Sequence, residues 1–240
     1  MTATKKKNEV ATTTENGGAL ATGLGQVPDF LKGTAGKGIE SAQASDFLIP
    51  RIALLQALSP QVTEGGLKVG DFHHNVTEQS LGSEVEIVPI LFRSGYILWN
   101  PRENGGGILA RADDGIHWNP ANTEFTVKIK DSKKPVVWKT AETVQASGLA
   151  NWGTFNPEDP ESQPAATKMY TFLVAFPKNP EYGIAALSMS RSQVKAAMKF
   201  LSRLSFAQTA IYGTVWKMKS VNDQNKKGQS YKNFAFEPAG

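Results

Sequence analysis

The chain has 240 residues, of which 40% are hydrophobic and 20% charged, and its formal net charge is +4. This composition is typical of a globular protein, and the small basic excess favours an anionic partner only weakly. No cysteine is present, which excludes disulfides, thiolate metal sites and cysteine nucleophiles. Lys5, Lys6 and Lys7 precede no apolar signal-peptide core, and no run approaches the roughly 18 apolar residues of a membrane helix. We therefore expect a cytoplasmic protein that does not enter a membrane.

The first part of the chain differs in composition from the rest. Residues 1–44 are rich in Thr, Ala, Gly and Lys and contain few large apolar side chains. They bury too little apolar surface to offset the loss of chain entropy, so we predict a disordered tail. Within it GTAGKG (33–38) is similar to a phosphate-binding loop, but the first glycine and the magnesium-binding Ser or Thr are missing. Residues 45–240 are predicted to form one β-rich domain.

Period-two alternation predicts several strands in this domain. Residues 46–62 favour a short extended piece or a late helical turn, because Pro50 opposes a helix across that point. GGLKVGDF then supplies a turn into a strand. The clearer strands are EVEIVPILF (84–92), YILW (96–99), FTVKIK (125–130), KPVVWK (134–139), KMYTFLVAF (168–176) and YGIAALSM (182–189). The Pro-rich, acidic residues 141–166 are predicted to be a loop insertion.

A helix is predicted after the last of these strands. Ser190 is placed as its N-cap, and Gln193 three residues later completes a capping box. The residues expected to face the core are Val194, Ala197, Met198, Leu201 and Leu204. A separate stripe is basic and consists of Arg191, Lys195, Lys199 and Arg203.

The segment from Gly213 to Pro238 predicts a β-hairpin with a basic tip. Alternation places Trp216 and Met218 opposite Lys217 and Lys219. It also places Phe234 and Phe236 opposite Tyr231 and Asn233. The apolar residues Trp216, Met218, Phe234 and Phe236 are predicted to be buried, and the residues opposite them are predicted to face outward. With the other elements this favours a mainly β fold with one or two helices, either an OB-like barrel or a strongly bent antiparallel sheet.

Catalytic and metal chemistry have little support in the sequence. Asp71, His73 and His74 are close together, but adjacent histidines on a strand point to opposite faces. His117 is the one further histidine, and no third ligand is evident. No G-x-S-x-G elbow occurs, and the paired acids stand in turn-like contexts. We predict neither an enzyme nor a bound cofactor.

Charge is distributed unevenly along the chain. Residues 186–240 carry nine basic side chains against Asp223 and Glu237, and a second basic cluster spans 128–139. Acidic charge concentrates around residues 158–161. Such a polarised surface suits a polyanion, and no helix-turn-helix, zinc finger or basic zipper is present to enter a duplex groove. Single-stranded nucleic acid is therefore the predicted ligand, with lysines on the phosphates and aromatic rings under the bases.

The predicted contacts divide into cations and aromatic rings. Trp99 and Trp118 lie beside Pro and Asn in irregular segments, and for each of them a place in the core is an equal alternative. The full predicted set is Lys128, Lys130, Lys217, Lys219, Lys226, Lys227 and Lys232 with Arg102 and Arg111, and Tyr231, Trp99 and Trp118 for stacking. Replacing Lys226 and Lys227 together by Ala is expected to weaken binding and flatten its salt dependence.

Four segments, in this order, resemble the single-stranded DNA-binding proteins encoded by bacteriophages. They are IPRIALLQALSPQV, LGSEVEIVPI, ALSMSRSQVKAAMKF and GTVWKMKSVNDQNKKGQSYKNFAF. The resemblance covers roughly residues 46–240. It implies an OB-like barrel that coats and protects single strands during phage replication and recombination in the host cytoplasm, with replication or recombination proteins as partners. Many such proteins end in an acidic segment that recruits partners, and the sequence leaves open whether such a segment after FAFEPAG has been removed.

Several alternatives stay open at this point. RNA in place of DNA, a homo-oligomer, and the folding of the tail on binding are all compatible with the sequence. A different class of function is a structural or regulatory phage protein, such as a virion component or a transcription co-factor, whose basic face binds protein or RNA.

Overall fold

A computed structural model describes residues 38–43, 46–130, 132–225 and 228–239. Most of the predicted N-terminal tail, together with Lys226 and Lys227, lies outside these ranges. Within them the fold is mainly β with few helices, as predicted. The strands are β1 (Arg51–Leu54), β2 (Phe72–His74), β3 (Gln79–Ser80), β4 (Glu84–Trp99), β5 (Ile108–Ala112), β6 (Glu124–Val127), β7 (Val136–Lys139), β8 (Ala166–Ala175), β9 (Ile184–Ser190), β10 (Trp216–Gln224) and β11 (Ser230–Pro238). The α-helices are α1 (Pro60–Thr63), α2 (Val144–Ser147) and α3 (Val194–Phe206).

One curled sheet of nine strands organises the molecule. Its order is β11-β10-β4-β8-β9-β1-β2-β3, and β5 pairs with the last residues of β4. Neighbours are antiparallel except for β1 and β9, which are parallel, so the sheet is mixed rather than purely antiparallel. β6 and β7 form a separate two-stranded sheet.

The 16-residue strand β4 is the longest element of the sheet. The two strands predicted at 84–92 and 96–99 are continuous, because Arg93, Ser94 and Gly95 pair with β8 instead of forming a break. Residues 84–87 pair with β10, and the far end of the strand pairs with β5. A register shift between Pro89 and Leu91 bends the strand between these two partners.

The curl brings β11, at one end of the strand order, close to β1 and β2 near the other end. Gln56, two residues after β1, donates its side-chain N–H to the carbonyl of Lys232 in β11 at 2.9 Å. Its side-chain oxygen accepts from the Lys232 N–H, also at 2.9 Å. Gly70 packs against the same strand with φ +93°, and a Cβ there would lie 2.9 Å from the Ser220 hydroxyl and 3.0 Å from Lys232 Cε. One glutamine amide therefore replaces a strand ladder at this junction.

The main core lies between the inner face of the sheet and α3. Phe172, Leu187 and Met189 of β8 and β9 are fully buried, and Phe200 of α3 stacks on Phe236 with ring centroids 4.0 Å apart. The predicted burial of the hairpin aromatics is confirmed, since Trp216, Met218, Phe234 and Phe236 are all buried.

The start and the buried face of α3 differ from the prediction. Residues 191–193 form a 3₁₀ turn, α3 begins at Val194, and the Ser190 side chain caps nothing. Met198 is 52% exposed, whereas Phe200 is buried with Ala197 and Leu204. Ala197 and Leu204 lie on the predicted face, so the buried stripe is displaced only at its edge, where Phe200 takes the place predicted for Met198.

A second cluster of buried residues surrounds Trp138 of β7. The predicted loop insertion contributes to it, because α2 and Leu149 pack there with Val127 and Ala166. The Trp138 indole N–H donates to the carbonyl of Thr154 at 3.1 Å. Across the residues that the structure describes, no helix is both long enough and apolar enough to cross a membrane.

Candidate nucleic-acid interface

The face of the sheet opposite α3 is open and forms a groove of about 560 Å³. Side chains alternate along a strand, so β4, β8 and β9 send one set of side chains into the core and the other into this groove. We call it the sheet-face groove. The lining residues that matter below are Arg51, Leu91, Arg93, Trp99, Arg111 and Met169. A shallow apolar floor is thus surrounded by three arginines.

Trp99 stands at the end of β4 and is half-buried in this groove. The guanidinium carbon of Arg191 lies 5.9 Å from the centroid of its ring, within range of a cation–π contact. Arg191 has φ +52°, a left-handed conformation that is uncommon for a residue with a side chain. Strained backbone of this kind occurs most often where the orientation of a side chain matters for function.

The charge of the sheet-face groove is positive. Arg111 forms an ion pair with Asp113, with Nη2 2.9 Å from Oδ1. Arg51 and Arg93 are exposed, and neither has a carboxylate in ion-pair contact among the described residues. Two guanidinium groups therefore remain available to an anion beside an aromatic ring.

Two predicted cations lie at the edge of this region. The loop after Trp99 contains Arg102, and Asn104 at the end of its 3₁₀ turn exchanges two hydrogen bonds with the backbone of Lys128. Arg102 and Lys128 are both exposed, as is Lys130 two residues further on. Of these predicted residues, Trp99 and Arg111 line the sheet-face groove, while Arg102 and Lys128 lie on the neighbouring segments that Asn104 joins.

Trp118 is not on this surface. Its side chain is only 4% exposed, packs in the cluster around Trp138, and donates its indole N–H to the Ser147 hydroxyl at 3.0 Å. Of the two alternatives left open by the sequence, the core position is the one observed. Burial removes this ring as a stacking platform.

The outward lysines of the terminal hairpin are engaged by carboxylates. Lys217 Nζ lies 3.1 Å from Glu84, and Lys219 Nζ lies 2.6 Å from Glu237 and 3.7 Å from Glu84. The hydrogen bond to Glu237 is the main reason that the pKa of Lys219 is raised. A phosphate would therefore have to compete with these carboxylates for either ammonium group.

Tyr231 lies in a different groove of about 510 Å³ between α3 and the terminal hairpin, which we call the hairpin groove. Its hydroxyl donates to Asp223 at 2.9 Å. Asn233 was predicted to face outward with Tyr231, but it is 6% exposed and donates to Asp223 at 2.8 Å. Asn233 and Phe234 are consecutive buried residues, because the turn before α3 covers the face that would otherwise be open. Lys232 is half-buried, with its stem against Gly70.

The histidines have structural partners. His73 lies 3.3 Å from Glu78, and His117 lies 2.7 Å from Asp114. His74 is buried against Tyr182, and burial lowers its pKa. Within the ranges that the structure describes, no three histidine or acidic side chains converge as metal ligands.

Sequence reasoning did not select Arg51 and Arg93, which line the sheet-face groove, and placed Arg191 only on a basic helix stripe. The arginines of β4 could have been found from the sequence. If β4 is taken as one strand through Arg93, Ser94 and Gly95, alternation places Leu91, Arg93 and Trp99 on one face. It also missed Trp152, which is 73% exposed. That ring lies in a loop whose acids at 158–161 repel phosphates, so it is a poor stacking candidate.

Comparison with known proteins identifies the family of this chain. A family model described as Pam3 phage gp34-like protein matches residues 16–240, nearly the whole chain. No curated protein and no solved structure matches the sequence.

Proposed function

We propose that this chain, which belongs to the Pam3 phage gp34-like family and is therefore a phage protein, binds single-stranded DNA in its sheet-face groove. The observation that carries the proposal is the arrangement around Trp99. One open sheet face presents an aromatic ring, an apolar floor, and the guanidinium groups of Arg51 and Arg93, which have no carboxylate in ion-pair contact within the described ranges. Unpaired bases stack on aromatic rings while cations follow the phosphates, and both kinds of group are present within one groove.

The groove favours a single strand over a duplex. In a duplex the faces of the bases are covered by their neighbours, and sequence is read from the base edges by an inserted helix or ribbon. The floor here is an open sheet surface with Leu91 and Met169 beside Trp99, which is suited to contact the faces of bases instead. Arginine also stacks on bases as well as pairing with phosphate, so Arg51 and Arg93 serve both purposes.

Binding of this kind is largely independent of base sequence. Every base has a face to stack, and every nucleotide has a phosphate. A phage protein with these properties coats and protects single strands that are exposed during replication and recombination. No catalytic step is part of the proposal.

The test is tryptophan fluorescence titrated with oligo-dT, duplex DNA and single-stranded RNA at two salt concentrations. Trp118, Trp138 and Trp216 are buried, so the wild-type signal on binding comes from Trp99 or Trp152. We expect oligo-dT to quench the wild type and Trp152→Phe, but to have little effect on the emission of Trp99→Phe. Quenching should weaken as salt rises, because neutralised phosphates release counterions.

Three results would count against the proposal. Absence of quenching by every nucleic acid favours a structural or regulatory phage protein. Loss of quenching in Trp152→Phe instead of Trp99→Phe moves binding to another surface. If single-stranded RNA quenches as strongly as oligo-dT, the groove remains the binding site, but DNA is not its specific ligand.

A further inference from the structure

We infer that the hairpin groove is a second binding site for phosphodiesters, which holds the continuation of the same single strand after it leaves the sheet-face groove. This inference rests on the proposed function and extends it. The two grooves would then form one path on the protein, with base stacking at one end and phosphate contacts at the other.

The wall that α3 contributes to the hairpin groove is basic. Lys195 and Lys199 are exposed, lie one turn apart, and therefore share a face of the helix. Neither has a carboxylate in ion-pair contact among the residues that the structure describes. Arg203 continues the row, and its Nη1 donates to the carbonyl of Phe236, which fixes the guanidinium beside the groove.

The opposite wall of the hairpin groove is formed by the terminal hairpin, in which hydrogen bonds fix the position of Tyr231. Asp223 accepts hydrogen bonds from Asn233 at 2.8 Å and from the Tyr231 hydroxyl at 2.9 Å. Both hydrogen bonds lower the pKa of Asp223, and the one from Asn233 has the larger effect. The carboxylate therefore stays ionised and holds the Tyr231 ring in place. One carboxylate thus faces three cations, and the groove as a whole attracts an anion.

The two grooves meet at the short turn that precedes α3. Ser190 lines the sheet-face groove, Ser192 lines the hairpin groove, and Arg191 stands between them over Trp99. A strand that stacks a base on Trp99 reaches the hairpin groove by passing over this one residue. This continuity favours a nucleic-acid strand over an acidic peptide, which would have no use for the aromatic end of the path.

The experiment compares a short and a long oligo-dT, of about 5 and about 15 nucleotides, which lie within the range of site sizes known for OB-like folds. The affinity of the full chain for each is measured at several salt concentrations by anisotropy of labelled DNA. The variant is Lys195→Ala with Lys199→Ala. Its matched control is Lys68→Ala with Lys134→Ala, which removes the same charge from two exposed lysines that line neither groove and have no carboxylate in ion-pair contact among the described residues.

We expect the wild type to bind the long oligonucleotide more tightly than the short one. The groove variant should lose about fivefold to tenfold in affinity for the long oligonucleotide and be unchanged for the short one. Its salt slope for the long oligonucleotide should fall by about 1.4, because two phosphate contacts on a single strand are removed. The control should follow the wild type for both lengths. Circular dichroism checks that the exposed substitutions leave the fold intact.

The outcomes separate this inference from the proposed function. If the wild type binds both lengths and the groove variant matches the control, the second site is overturned while the first stands. Equal weakening at both lengths also overturns it, since the lysines would then act only through general charge. If the wild type binds neither oligonucleotide but binds an oligo-glutamate peptide that requires Lys195 and Lys199, the groove recognises an acidic protein partner and both proposals fall.

Discussion

A basic side chain contributes more to DNA binding when no neighbouring carboxylate competes with the phosphate for its charge. Lys219 lies 2.6 Å from Glu237, so a phosphate must compete with that ion pair. Arg51 and Arg93 face no such competition among the described residues. At this scale the arginines of the sheet face, rather than the hairpin lysines, are expected to determine affinity.

A single carboxylate gives a pH-dependent prediction. Asp114 accepts hydrogen bonds from the Ile116 and His117 N–H groups, both at 2.8 Å, and also contacts the His117 ring. These contacts lower the pKa of Asp114 from 3.8 to about 2, and the hydrogen bond from the His117 backbone N–H has the largest effect. Because the folded pKa is depressed, the stabilisation is present above pH 3.8 and is lost as the pH falls toward 2.

The measurement is an NMR titration of the side-chain carboxyl carbons. We expect the Asp114 midpoint near pH 2, and we expect His117→Ala to move it upward because the ring contact is lost. A wild-type midpoint at the ordinary aspartate value would contradict the hydrogen-bonded turn.

At the scale of elements, α3 is held to the sheet by one aromatic side chain. Phe200 contacts Phe172, Trp216 and Phe236, with ring centroids 5.0, 5.2 and 4.0 Å away. Phe200→Ala should lower the free energy of unfolding by about 3–5 kcal/mol, because it leaves a cavity among these rings. Met198→Ala, on the exposed side of the same helix, is the control and should change it by about 0.5 kcal/mol or less. Urea denaturation measures both, and equal effects would contradict the observed helix face.

The junction between β1 and β11 depends on one amide. Gln56→Ala removes both hydrogen bonds to Lys232 and leaves its backbone groups without that partner. We expect a loss of about 1–3 kcal/mol in the free energy of unfolding and faster hydrogen exchange at the Lys232 N–H. Gln145→Ala, an exposed position in α2, should change neither quantity. An unchanged exchange rate at Lys232 in Gln56→Ala would show that the junction does not close the sheet.

At the scale of the whole molecule, local patterns predicted the longer elements but missed β5 and α2, and they did not predict the pairings between distant strands. Alternation located the terminal hairpin and its buried aromatic residues, because strand period is a local property. It did not reveal the parallel pairing of β1 with β9 or the closure by Gln56, which join residues far apart in sequence.

The candidate site shows the same limit. Trp99 and Arg111 were found from composition, since aromatic and basic residues near loops are visible in any sequence. Lys217 and Lys219 were also chosen for their charge, but their partners Glu84 and Glu237 come from two other strands. Charge alone does not tell which cations remain unpaired after folding.

The central claim is that single-stranded DNA binds the sheet-face groove, and paired double variants test it most directly. The affinity for oligo-dT and its salt dependence are measured for Arg51→Ala with Arg93→Ala, and for Lys217→Ala with Lys219→Ala. Both variants remove two positive charges, but only the first removes cations that have no carboxylate partner among the described residues. We predict that the arginine variant loses about tenfold or more in affinity and that its salt slope falls by about 1.4, while the lysine variant changes little. A lysine variant that loses as much affinity as the arginine variant would contradict the assignment of the groove.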